Sequence, residues 1–142
     1  MKTTNFIKSL KKGVVTLIIL SFTIAPFSCS KKTAFENSNI IPAARGETKV
    51  KKDNNDNYNI EISISYLAEP ERLNPPKKTY VVWMVANNNY PQNIGQIVGT
   101  TKLHVKFETV SSSKPERIFI TAEDDGSTQQ PSNMKVLETS IL

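Results

Sequence analysis

The chain predicts an all-β fold, an immunoglobulin-like antiparallel β-sandwich of about seven strands, and three observations carry that expectation. Between residues 48 and 142, apolar side chains recur at every second position in short runs, the period of a strand with one buried face. Clusters of Asn, Asp, Ser, Gly and Pro interrupt these runs at intervals of about ten residues, as turns between short strands do. No stretch after residue 47 repeats its apolar residues at the spacing of an amphipathic helix.

The elements follow in order. Residues 48–52 are expected to pair back, through the polar turn Asp53-Asn54-Asn55-Asp56-Asn57, onto a second strand. In that strand Tyr58, Ile60, Ile62, Ile64 and Tyr66 alternate with Asn59, Glu61, Ser63 and Ser65, which gives one apolar and one solvated face. Pro70, Pro75 and Pro76 exclude regular structure from residues 68–78. Residues 80–86 form the most apolar run outside the N-terminus, and they read as a central strand buried on both faces. Short strands are then expected at 94–99, at 102–110 with Leu103, Val105 and Phe107 on one side, at 116–123 with Ile118, Ile120 and Ala122 on one face, and at 134–141. A small closed barrel would satisfy the same pattern.

The facing of the central strand decides where a partner would bind. With Val81, Trp83 and Val85 turned into the sandwich, Trp83 becomes the core tryptophan, and Tyr80, Val82 and Met84 point outward with Phe119 of a neighbouring strand. An exposed apolar face of that kind marks a partner surface. Tyr80-Val81-Val82-Trp83, the glycine-containing Ile94-Gly95-Gln96-Ile97, the alternating strand ending near Phe107, Ile118-Phe119-Ile120-Thr121-Ala122-Glu123, and Pro131 before Val136-Leu137 resemble in order the extracytoplasmic domain of anti-sigma-K factors. The resemblance covers about 60 residues and implies a β-sandwich. The sigma-binding part and spanning helix of those regulators have no counterpart in these residues, so it carries no activity over.

The front of the chain reads as an address. Residues 1–13 are basic, and residues 14–27 form an apolar run of about 14 residues, short for a membrane-spanning helix and right for the core of a signal peptide. The single cysteine of the chain, Cys29, stands where that run ends, in Ser28-Cys29-Ser30. This resembles the signal of a bacterial lipoprotein, which implies cleavage before Cys29 and acylation of its thiol. Acyl chains hold a soluble domain at a membrane with about 0.8 kcal/mol per buried methylene. Ser30 in place of aspartate after the cysteine implies, by the family's sorting rule, the outer membrane. The expected organisation is a signal peptide at 1–28, a lipidated cysteine and flexible tether at 29–47, and the sandwich at 48–142.

Charge and composition exclude several classes. The formal charge is +5, but Lys2, Lys8, Lys11 and Lys12 lie in the first 28 residues, which carry no acid; of 18 basic residues 14 remain, against 13 acidic ones. A near-neutral remainder removes the electrostatic case for a nucleic-acid partner. Asp53, Asn55 and Asn57 imitate the first ligands of a calcium loop, but Tyr58 stands where glycine is needed and Ile64 where the bidentate glutamate belongs. Glu69 or Glu71 could meet Glu123, Asp124 and Asp125 at one end of the sandwich, although Lys77 and Lys78 would neutralise them. His104, the only histidine, is expected at the surface, and with no second histidine neither a nucleophile–base pair nor a zinc site assembles. The expectation is therefore a lipid-anchored, non-catalytic envelope protein without cofactor, serving as a structural or interaction module. A small-ligand or carbohydrate-binding module, with Tyr80, Trp83 or Tyr90 as stacking rings, is the alternative.

Overall fold

The computed structural model describes residues 30–87, 90–98 and 104–142. Among them eight strands form: β1 (Lys31–Ala34), β2 (Arg45–Lys52), β3 (Tyr58–Ser65), β4 (Thr79–Val85), β5 (Gln92–Ile97), β6 (His104–Ser111), β7 (Arg117–Glu123) and β8 (Lys135–Glu138). The one helical piece among the described residues is a 3-10 turn, Pro70–Arg72, in the proline-rich connection. The strands make two four-stranded antiparallel sheets, β1-β2-β3-β6 and β5-β4-β7-β8, packed as a β-sandwich.

Alternation fixes how the first sheet faces. Ile60, Ile62 and Ile64 of β3 are buried between the sheets, while Glu61 and Ser63 are exposed. Their cross-strand neighbours share the inner face: Val50, Thr48 and Gly46 on β2, and Thr109, Phe107 and Val105 on β6. Each isoleucine removed from water contributes about 1.5–3 kcal/mol, enough to hold this register against a one-residue slip that would expose all three. The outer face is wet, with Lys32 paired to Glu47 at 2.7 Å and Lys49 to Glu61 at 3.4 Å. The β2–β3 hairpin closes through Asp53, whose Oδ1 accepts the backbone N–H groups of Asn55 and Asn57. Asp56 takes a positive φ of 65° there, a conformation that Asp tolerates. The turn is thus a polar hairpin, and its lead carboxylate is occupied by backbone donors.

The two sheets meet closely where β5 faces β6. Gly95 on β5 has a φ of 138°, and a Cβ there would lie 2.9 Å from the ring of Phe107 on the other sheet. Only glycine combines that backbone with that approach. On the opposite side the edges are joined. Phe35, just past β1, bridges to Thr139, just past β8, and the Glu36 N–H donates to the Glu138 carbonyl at 2.8 Å.

That seam corrects the expected tether. Residues 31–47 belong to the folded domain: β1 pairs with β2 from Lys31↔Val50 to Ala34↔Glu47, and Phe35, Ile41 and Ala44 are buried in the main core. Ser38, also buried, accepts the Ile41 N–H at 2.9 Å. The domain therefore begins at about residue 31 rather than 48, because isolated apolar residues in a polar stretch suffice to pin a segment that wraps a sheet edge. The expected signal peptide and Cys29 lie outside the described residues.

Candidate functional site

The central strand faces opposite to the expectation on which a partner surface was placed. Tyr80, Val82 and Met84 point between the sheets and are 0%, 0% and 1% exposed. Across the ladder they stand beside Ala122, Ile120 and Ile118 of β7, all part of the main core. The Tyr80 hydroxyl donates to the Ala68 carbonyl at 2.9 Å, and burial holds the phenol well above its ordinary pKa. These three residues are core, so they offer no partner a surface, and Tyr80 offers no sugar a stacking ring.

Phe119 does lie on the outer face, but with Trp83 rather than with Met84. Val81, Trp83, Val85 and Phe119 form a second, smaller core on the side of this sheet away from the first. The Trp83 and Phe119 rings stack with centroids 6.2 Å apart and planes 15° from parallel, and the Lys135 ammonium sits 5.8 Å from the Phe119 ring centre. The Trp83 indole Nε1–H donates to Thr121 Oγ1 at 2.7 Å, and the Thr121 hydroxyl donates in turn to Glu123 Oε1. Glu123 Oε1 also accepts the Ser132 N–H at 2.7 Å. A buried indole and a buried carboxylate are thus both satisfied within one chain of bonds.

The connection after β7 is tied across this face. Asn93 Nδ2 on β5 donates to the carbonyls of Gly126 and Thr128, each at 2.9 Å, and Gly126 lies so close to Gln96 that a Cβ would fall 1.9 Å from its Oε1. The roles of Thr121, Glu123 and Asn93 were not read from the sequence. Period-two spacing from Phe119 to Thr121 and Glu123 places all three on one face, the available signal for that network.

At the end of the sandwich where β4 begins, the acidic loops meet lysines. Lys77 Nζ lies 2.6 Å from Asp124 Oδ2, and the Lys78 N–H donates to the Glu123 carbonyl. The Asp125 carboxylate accepts the N–H and hydroxyl of Ser127, which holds its pKa below the ordinary carboxylate value. Among the described residues no three His, Cys, Asp or Glu side chains gather into a group that could hold a metal ion. His104 is exposed, with Nδ1 2.8 Å from Ser65 Oγ and its ring 6.4 Å from that of Tyr66.

The opposite end carries an open cleft. A cleft of about 290 Å³ is lined by Thr33, Val50, Lys52, Tyr58, Lys114, Pro115 and Leu142. Its lining joins β1, β2 and β3 to the 112–116 turn, which crosses from one sheet to the other, and to the last residue. Lys52 pairs with Asp56 at 2.6 Å, which raises the lysine pKa through that hydrogen bond and charge. The arrangement is an apolar recess rimmed by cations, with no nucleophile–base pair among its lining residues.

Comparison of the chain with family models, with curated proteins and with solved structures returns no match. Among the described residues no helix is long and apolar enough to cross a membrane.

Proposed function

We propose that the chain is a lipid-anchored, non-catalytic protein of the bacterial envelope, in which an immunoglobulin-like sandwich serves as a structural or interaction module. The observation that carries the reading is the juxtaposition of an apolar run ending at Cys29 with a β-sandwich whose first strand starts at Lys31. The strand order supports the immunoglobulin-like description, because the chain crosses between sheets from β3 to β4, from β5 to β6 and from β6 to β7. Ser30 after the cysteine favours the outer membrane. Intact mass tests the anchor. Wild-type protein heavier than the Cys29→Ser variant by its acyl groups, and fractionating with membranes while the variant is soluble, is the expected result; equal masses after allowing for the substitution, with equal fractionation, would overturn it.

A second reading, a small-ligand or carbohydrate-binding module, is favoured by the cleft and by Tyr90, which is 91% exposed. Trp83 and Tyr80 are buried and do not contribute rings to it. A glycan-array signal lost in Tyr90→Ala would support this reading, and an array without signal would count against it.

A further inference from the structure

We propose that the end of the sandwich from which β1 starts rests on an anionic lipid surface, with Lys51 and Lys114 at the headgroups and Tyr90 and Ile141 in the interface. The proposal deepens the anchoring reading and rests on it.

The leash is short. Only Ser30 separates Cys29 from β1, and at no more than about 3.8 Å per residue the Cys29-to-Lys31 step spans no more than about 7.6 Å. A domain held so closely cannot turn freely, so the end at which β1 starts is brought to the bilayer. The strand registers identify what shares that end. Lys31 pairs with Val50, Lys52 with Tyr58, and Tyr58 with Ser111 in the first sheet; Met84 pairs with Gln92 and Val85 with Arg117 in the second. The β2–β3 turn, Ala86, Asn87, Tyr90 and Pro91 beside the ends of β4 and β5, the 112–116 turn and the final residues therefore lie together there.

The side chains at that end suit an interface. Tyr90 and Ile141 are 91% and 81% exposed, and Val110, two residues before the turn, is 60% exposed. An aromatic ring with a polar tip, apolar side chains and lysines form the composition that proteins use at a membrane–water interface. Lys51, Lys52 and Lys114 are all exposed. Of the acids nearby, Asp56 is paired with Lys52, Asp53 keeps its charge while accepting backbone N–H groups of its own turn, and Glu116 has interactions of its own. Among the described residues neither Lys51 nor Lys114 has an ion-pair partner. Each such lysine near an anionic surface raises partitioning about fivefold at low salt. The cleft lined by Lys52, Lys114 and Leu142 adds an apolar recess to this end.

The test uses the full chain, as extracted from membranes, in phosphatidylglycerol–phosphatidylethanolamine vesicles carrying a headgroup spin label. A fluorophore is placed at Ser112→Cys on the proposed face and, in a separate protein, at Glu71→Cys in the connection between β3 and β4 at the opposite end, both exposed positions. The Ser112 probe should be quenched several-fold more than the Glu71 probe, and reversing Lys51 and Lys114 to Glu together should abolish that difference. Equal quenching at both ends of a vesicle-bound chain overturns the proposal and leaves the anchor intact. An anchored chain whose Ser112 probe stays unquenched, the result expected of an end kept for a protein partner, also overturns it. A chain that does not float with vesicles overturns the anchoring reading itself, and this one with it.

Discussion

Strands β3 and β4 occupy equivalent central places in the two sheets, yet their outward faces differ completely. On β3 the outward residues Asn59, Glu61 and Ser63 meet water and the lysines of β2. On β4 the outward residues Val81, Trp83 and Val85 are buried under a tied loop, with Trp83 0% exposed. A polar outer face makes a strand's orientation self-evident, because the reverse orientation would bury Glu61. An apolar outer face removes that penalty, and the orientation of β4 is then decided by what each face finds to pack against.

The contrast can be broken or sharpened by substitution. The largest effect is expected for Val82→Asp, which places a carboxylate without a partner between the sheets and should cost more than about 4 kcal/mol. Circular dichroism should show no cooperative melt; a wild-type melt would reverse the assigned facing of β4. Next comes Trp83→Ala, which empties the second core at an expected cost of about 3–5 kcal/mol in urea unfolding. A loss below about 1 kcal/mol would mean that the loop gives Trp83 no real packing and that the two outer faces are more alike than the structure shows.

Asn93→Ala should act more mildly, about 1–3 kcal/mol, by removing the amide that holds the Gly126 and Thr128 carbonyls. Trp83 is the only tryptophan of the chain, so acrylamide quenching of its fluorescence reads the opening of that face directly. Quenching should rise in the variant, and unchanged quenching would show that the loop does not depend on Asn93. The smallest effect belongs to β3: Glu61→Ala breaks an exposed pair with Lys49 and should change stability by less than about 1 kcal/mol. A larger loss would mean that the wet face is less expendable than its exposure implies.

Much of the strand plan was legible because alternation is a local signal. The strands expected at 58–66, 94–99, 102–110 and 116–123 appear as β3, β5, β6 and β7, with small differences at ends such as those of β3 and β7 because hydrogen-bond partners rather than pattern set them; residues 99 and 102–103, Leu103 included, lie outside the described residues. β1 was missed for a physical reason: Lys31-Lys32-Thr33-Ala34 has no apolar alternation, and it is a strand only because β2 offers it an edge. The candidate surface at Tyr80, Val82, Met84 and Phe119 was misplaced for the reason already met on β4. Its residues were apolar in both phases, so nothing within seven residues distinguished inside from outside.

The all-β class, the places of the turns, the inward set Ile60, Ile62 and Ile64, and the near-neutral balance of the residues that follow Cys29 are all written in the local order of the residues. Those features depend on neighbours one to ten residues away. The facing of β4, the recruitment of residues 31–47 and the second core around Trp83 were decided only in three dimensions. Each depends on contacts between segments far apart in the chain: Phe35 with the strand edges, Asn93 with the loop after β7, and Trp83 with Thr121. A short apolar run records that it will be buried, and only the partners brought to it by the fold decide on which side.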